Sequence, residues 1–240
     1  MSIQLCDIHM HVLPGIDDGS DSTEMSADML LRSYDQGVRA IFATSHSYAY
    51  PRELTRAKQE FQNLRRLLAR AGLDLELYFG CEVACSSYDI DETIHLLRSG
   101  HLPTMNGTRY VLSEFYPAAR TKDILLCVTK LLEAGFIPII AHAERCGNLD
   151  ADIVRQLKDM GCRIQVNVYS LYDEGKESIR NLARELAREQ LIDFLGSDAH
   201  KTYHRPPSLT MGLQWLIENC PKDYLQKITW ENARDCLTGE

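Results

Sequence analysis

Seven short apolar runs, each followed by a longer stretch of helical periodicity, constrain this chain more than any other feature. The runs cover 3–9, 38–44, 75–80, 109–113, 137–141, 163–168 and 191–196. Their near-continuous hydrophobicity suits strands covered on both faces, the environment of a parallel sheet. Helices are expected between them, over 22–36, 52–71, 122–134, 149–160, 178–189 and 208–219. Ser22 and Thr23 open the first as caps, and Gly37, Gly72, Gly135 and Gly161 stand where C-caps belong. A strand–helix alternation repeated this often predicts a parallel α/β fold. Seven strands can close into a barrel or lie open in a doubly wound sheet, and periodicity does not distinguish the two.

Internal repeats, low-complexity tracts and Pro/Gly/Ser linkers are missing, so residues 1–240 read as one domain. Lys+Arg 26 against Asp+Glu 34 gives a net charge of −8. That balance argues against a general nucleic-acid binder or an anionic-membrane binder. Apolar runs all fall short of the roughly 18–20 residues that span a bilayer, so no membrane insertion is expected. The 8 cysteines are scattered, with no C-x-x-C pair, which removes the usual zinc-ribbon and thioredoxin signals. The first residues lack a basic segment followed by an apolar one, so the expectation is a reduced, cytoplasmic protein.

The placement of His, Asp and Glu carries the chemistry. His9 and His11 end the first run, His46 follows the second, Glu82 the third, Glu114 the fourth, His142 the fifth, and Asp198 and His200 the seventh. Taken alone, a histidine after a strand is an ordinary hydrogen-bonding residue. Together these side chains gather at the C-terminal edge of a parallel sheet, where such folds build active sites. In a strand, residues i and i+2 point the same way, so His9 and His11 can grip one ion together, and Asp198 and His200 can do the same. Eight donors exceed the about four that one tetrahedral ion takes, and the set is enough for two or three divalent ions. Imidazole and carboxylate without thiolate suit Mn, Fe or Zn. His95 and His101 read as surface residues. Arg145 and Arg205 flank the set, each offering a planar fork that matches phosphate oxygens.

At this point the sequence resembles the PHP (polymerase and histidinol phosphatase) superfamily. The resemblance rests on His9-Met-His11, Asp17-Asp18-Gly19, Thr44-Ser-His46, Glu82, Glu114, His142-Ala-Glu-Arg145, Gln165-Val-Asn167, and Ser197-Asp-Ala-His200 with Arg205-Pro-Pro. Within it the chain looks most like the bacterial manganese-dependent tyrosine phosphatases of capsule and exopolysaccharide clusters. That resemblance implies a distorted seven-stranded (β/α) barrel, TIM-barrel-like, with a trinuclear site. It implies His9, His11, His46, Glu82, Glu114, His142, Asp198 and His200 as ligands and Arg145 and Arg205 as phosphate binders. Asp18 aligns with a site aspartate of related proteins, as ligand or ligand neighbour, and Asp18 or His200 is a candidate general acid. The implied reaction is attack of a metal-activated hydroxide on phosphotyrosine, with manganese the expected ion. The implied partner is a phosphotyrosine protein, such as the tail of a bacterial tyrosine kinase. Departures from the pattern are Glu231-Asn-Ala-Arg234, Val168-Tyr169, and Tyr48 and Tyr50 after His46.

Other phosphatase chemistries are testable on the sequence. Cysteine-dependent tyrosine phosphatases need Arg six positions after the nucleophile, and none of the cysteines here has one. Asp89-Ile-Asp91 follows Cys-Ser-Ser-Tyr and not an apolar strand, so it reads as a helix cap and first turn, not an aspartyl-phosphate site. The alternatives that survive are a phosphoesterase acting on histidinol phosphate or a nucleotide, and an amidohydrolase. The second typically needs a carboxylated lysine at a mid-barrel strand end, where this sequence has none.

Overall fold

The computed structural model describes residues 4–172 and 176–238. The first element is β1 (Leu5–Met10), buried along its whole length. Ile3, included in the expected run, lies outside the described residues. Then come α1 (Thr23–Asp35), β2 (Val38–Ala43), α2 (Tyr50–Ala71), β3 (Glu76–Phe79), β4 (Glu82–Ala84) and α3 (Ile90–Arg98). The second half runs β5 (Tyr110–Glu114), α4 (Thr121–Glu133), β6 (Ile137–Ile140), α5 (Ala151–Asp159), β7 (Arg163–Asn167), α6 (Glu177–Arg188), β8 (Phe194–Gly196) and α7 (Thr210–Asn219). Ser22 caps α1 by accepting the Met25 N–H, and Asp150 caps α5 by accepting the Ile153 N–H. Among the described residues, no helix is long and apolar enough to cross a membrane.

The fold is α/β, with sheets of three strands (β1-β2-β3) and five (β4-β5-β6-β7-β8). Every strand pair in them is parallel. Among the described residues, eight strands stand where seven were expected. The third apolar run stops at Phe79, and Gly80-Cys81 carries the chain across to the other sheet, so β3 pairs with β2 while β4 pairs with β5. A Cβ on Gly80 would lie 3.0 Å from the Met105 sulfur, so this crossing is tight. The sheets meet through two isolated parallel bridges, Met10 with Ala199 and His46 with Glu82. The His11 N–H donates to the Ala199 carbonyl (2.9 Å), and the Asp198 N–H donates to the His9 carbonyl (2.8 Å).

The two-residue period of the strands divides the apolar interior. Ile41, Val111 and Ile140 face the helices, whereas Ala40, Phe42, Tyr110, Leu112 and Ile139 form a smaller inner cluster. That cluster also takes in Ala233 and Cys236 from the end of the chain. After α7 come α8 (Lys222–Gln226), a π turn (Lys227–Glu231) and α9 (Asn232–Thr238), which the strand–helix rhythm does not announce. Asn232 donates to the Asp193 carbonyl (2.8 Å) just before β8, which seats α9 at the start of the strands, away from the edge that carries the histidines.

Candidate metal centre

Each of the eight expected ligands lies at or just beyond the C-terminal end of a strand, or, for Glu82, on the β4 residue that follows the crossing. Together with Asp18, their donor atoms fall into four overlapping groups: His11, Asp18, His46 and His200; His9, His11 and Asp198; His9, Glu82 and His142; and His46, Glu82 and Glu114. Within each group the atoms lie within 4.8 Å of one another. The His9 and His11 Nε2 atoms approach to 3.1 Å. Glu82 Oε2 sits 2.9 Å from His46 Nδ1, 3.2 Å from His11 Nε2 and 3.3 Å from His9 Nε2. Glu82 Oε1 is 2.9 Å from His142 Nε2. Asp198 Oδ1 lies 3.5 Å from His11 and 3.6 Å from His9. Glu114 is the most exposed of the expected ligands, 3.5 Å from His46 and 3.7 Å from His142.

Outer hydrogen bonds set which nitrogen points inward. The His9 Nδ1–H donates to Gln165 Oε1 (3.1 Å), the His11 Nδ1–H to Asp17 Oδ2 (2.8 Å) and the His200 Nδ1–H to the Asp198 carbonyl (2.9 Å). In each case Nε2 keeps its lone pair for the centre. Glu82 Oε2, despite the three imidazole nitrogens close to it, and His200 Nε2 are buried with no properly directed hydrogen bond among the described residues. Converging lone pairs and orphaned buried acceptors are costly unless a cation satisfies them. The donor set therefore fits divalent ions.

The electrostatics agree. Burial alone would raise the Glu82 and Asp198 carboxyls, but the surrounding histidines outweigh it and hold both well below the usual carboxylate range. Burial would lower His46, yet Glu114 and Glu82 push it up to about 10, and His11 and His142 move the same way. A cavity that draws protons onto imidazoles is one that calls for positive charge, which bound cations supply instead. His200 goes the other way, down to about 2, through burial and the charge of His11, and stays a neutral donor.

Backbone strain gathers here. Among the described residues, the non-glycine positions with positive φ are Asn106, His142, Gln190, Asp198 and Arg205, and three of these five are expected site residues. The Arg145 Nη1–H donates to Asp198 Oδ2 (2.8 Å) and that of Arg205 to the same oxygen (3.3 Å). Both side chains remain about a quarter exposed, at 27% and 28%. Asp18 is 57% exposed at the mouth, 3.5 Å from His46 Nε2, 3.6 Å from His200 Nε2 and 3.7 Å from Arg205.

The family described as capsular polysaccharide synthesis, CpsB/CapC, matches residues 5–238. The chain belongs to this family. The CpsB/CapC match is supported by the tyrosine-protein phosphatase CpsB of Streptococcus pneumoniae, 33% identical over 98% of this chain and 99% of that relative. A crystal structure from work on YwqE of Bacillus subtilis and CpsB of Streptococcus pneumoniae, described there as metal-dependent tyrosine phosphatases, superposes with a TM-score of 0.82. It is 26% identical and covers 98% of this chain and 95% of that one. A histidinol phosphate phosphatase of Lactococcus lactis, solved with zinc, L-histidinol and phosphate, shares the fold at 14% identity and a TM-score of 0.58, covering 89% of this chain and 92% of that one.

For this CpsB/CapC chain, reading the sequence alone missed the residues behind the ligands. Asp17, not its neighbour Asp18, is the buried carboxylate that orients His11, and it also accepts the His46 backbone N–H (2.9 Å). Gln165 Oε1 accepts the His142 backbone N–H (2.8 Å) as well as His9, and its amide donates to Asn167, which donates to Asp198. Glu144 is buried beneath the strand ends, accepting from the Asn167 N–H and the Ser170 hydroxyl. The available signal was Gln165-Val-Asn167, two polar residues at period 2 inside an apolar strand. Gly19 closes the Asp17 loop so tightly that a Cβ would lie 2.3 Å from the His11 carbonyl oxygen and 2.5 Å from His11 Cβ. Gly19→Ala is therefore expected to destabilise the fold by about 1–3 kcal/mol and to lower bound metal. Denaturant unfolding and elemental analysis check it, and unchanged values of both would remove the constraint assigned to this glycine.

Proposed function

We propose that this protein removes phosphate from phosphotyrosine in proteins, using divalent metal ions. The observation that carries the reading is the convergence of eight imidazole and carboxylate donors with two arginine forks that share Asp198. The tyrosine-phosphatase names borne by its relatives support the same substrate class. We assign His9, His11, His46, Glu82, Glu114, His142, Asp198 and His200 as ligands of two or three ions, since His9, His11, His46 and Glu82 each belong to two of the four donor groups. Manganese is the ion we favour, and iron and zinc fit the same donors. When bound, such ions polarise phosphoryl oxygens and bring the pKa of water toward neutrality.

The chain's own residues do the rest. Arg145 and Arg205 turn from Asp198 to the non-bridging phosphate oxygens and hold them as charge redistributes. Asp18 stands at the mouth, where it can hold a proton for the leaving oxygen. A phenolate, with a pKa near 10, needs that proton less than an alkoxide does. Asp17 and Gln165 keep His11 and His9 turned with Nε2 inward. We further propose that β3 and β4 count as one interrupted unit of a distorted seven-stranded (β/α) barrel spanning residues 1–240 as one cytoplasmic domain. The substrate we favour is the tyrosine-rich tail of a bacterial kinase of capsule or exopolysaccharide synthesis.

The deciding experiment measures metal content of the purified protein beside its hydrolysis of phosphotyrosine peptides, phosphoserine peptides and histidinol phosphate. A metal-loaded protein that prefers phosphotyrosine is expected. A clear preference for an alkyl phosphate overturns the reading. Arg145→Ala is expected to lower kcat/KM for a phosphotyrosine peptide by about 10²-fold with metal content unchanged, and full activity in that variant would strip Arg145 of its role.

A further inference from the structure

Four tyrosines stand exposed on the loops that follow β2, β4, β5 and β8: Tyr48, Tyr88, Tyr116 and Tyr203. Single exposed aromatics are ordinary on a protein surface. Tyr48 differs from its companions in two respects.

Its ring stacks on His46, with centroids 5.3 Å apart and planes at 25°. One face thus lies against a donor of the candidate metal centre, while the side chain as a whole is 65% exposed and the other face is open. The residues around it are pinned. The Ser47 N–H donates to the Glu82 carbonyl (2.8 Å), and the Ser47 hydroxyl accepts the Ala84 N–H (3.0 Å). Ala49 and Tyr50 are buried, and the Tyr50 hydroxyl donates to the Gly80 carbonyl (2.9 Å). Tyr48 therefore sits on a short turn clamped on both sides. A ring already fixed in place loses little freedom when a second ring stacks on it.

We propose that Tyr48 is a specificity-determining residue whose open face stacks on the phenyl ring of the substrate. The inference deepens the phosphotyrosine reading and rests on it. The metal centre and the arginines hold phosphate, which is common to every phosphomonoester. Tyr48 is the rigid apolar surface beside them, and offset aromatic pairs gain where an alkyl chain does not. A phosphoserine side chain carries no ring to place there.

The test separates ring from phosphate. Phenylphosphonate and methylphosphonate, neither of which can be hydrolysed, are titrated by calorimetry into manganese-loaded wild type, Tyr48→Ala and Tyr48→Phe. Tyr48→Ala is expected to weaken phenylphosphonate roughly three- to tenfold and to leave methylphosphonate unchanged, while Tyr48→Phe matches wild type. In turnover, kcat/KM for a phosphotyrosine peptide falls by the same factor in Tyr48→Ala, while that for the matching phosphoserine peptide holds. Metal content and melting temperature stay at wild-type values. Equal losses for both phosphonates, no loss for either, or depleted metal in Tyr48→Ala would each overturn the proposal, the last because Tyr48 would then serve His46 and not the substrate. Failure of the underlying reading shows in the wild type alone, as a preference for phosphoserine.

Discussion

Asp198→Ala is expected to lower kcat/KM for phosphotyrosine peptides by about 10³-fold or more. Asp198 is the residue on which the two halves of the site meet. Its Oδ1 faces His9, His11 and His200, and its Oδ2 accepts from Arg145, Arg205 and Asn167. Removing it takes a donor from the group around His9 and His11. It also leaves two guanidinium groups without their shared anion, so both the hold on metal and the aim of the arginines suffer. The position has a φ of 52°, a conformation that Asp and Asn tolerate better than Ala. Asp198→Asn therefore makes the sharper variant, because it keeps the shape and the backbone while removing the charge. It is expected to melt within a few degrees of wild type and to lose activity comparably. Wild-type turnover in the Asn variant would remove Asp198 from the machinery.

Exhaustive chelation is expected to have the other large effect. The centre crowds Glu82, Glu114 and Asp198 among five histidines, and several buried donor atoms lack partners of their own. Stripping the cations should abolish turnover to at least about 10³-fold below the loaded protein, and added Mn²⁺ should restore it. Melting temperature should fall with it, since an ion held at about a hundredfold above its Kd contributes roughly 2.7 kcal/mol to the folded state. Elemental analysis, calorimetry and a peptide assay on one sample check both effects. Undiminished turnover in protein shown to be metal-free is the result that defeats the assignment.

The parts of this architecture that could be read from the sequence are those fixed by periodicity. Buried parallel strands leave continuous apolar runs, so β1, β2, β5, β6 and β7 lie close to where the runs predict them. The grouping of the candidate ligands follows because strand ends are the one place where a polar residue can leave such a run and still face its neighbours. What stayed hidden depends on tertiary contacts. The step at Gly80-Cys81 looks like part of one run, and only the pairing of β3 with β2 and β4 with β5 reveals a change of sheet. Asp17 and Asp18 are neighbours with the same side chain, yet one is buried against His11 and the other faces the mouth, a difference set by the loop that Gly19 closes. The helices α8 and α9 are short, and the inner cluster that α9 completes with Ala233 and Cys236 has no local signature.

The shared resting place of the two arginines has a thermodynamic corollary. While the pocket waits, Arg145 and Arg205 neutralise part of the charge that Asp198 presents to the histidine side. On the proposed reading, an arriving phosphate would draw them off and leave that charge to the ions that His9, His11 and Asp198 would hold. Anion and cation occupancy would then reinforce each other in equal measure, because such coupling is reciprocal. Inorganic phosphate, the reaction product, would tighten the grip of the very ions that hold it, making its departure a natural brake on the cycle.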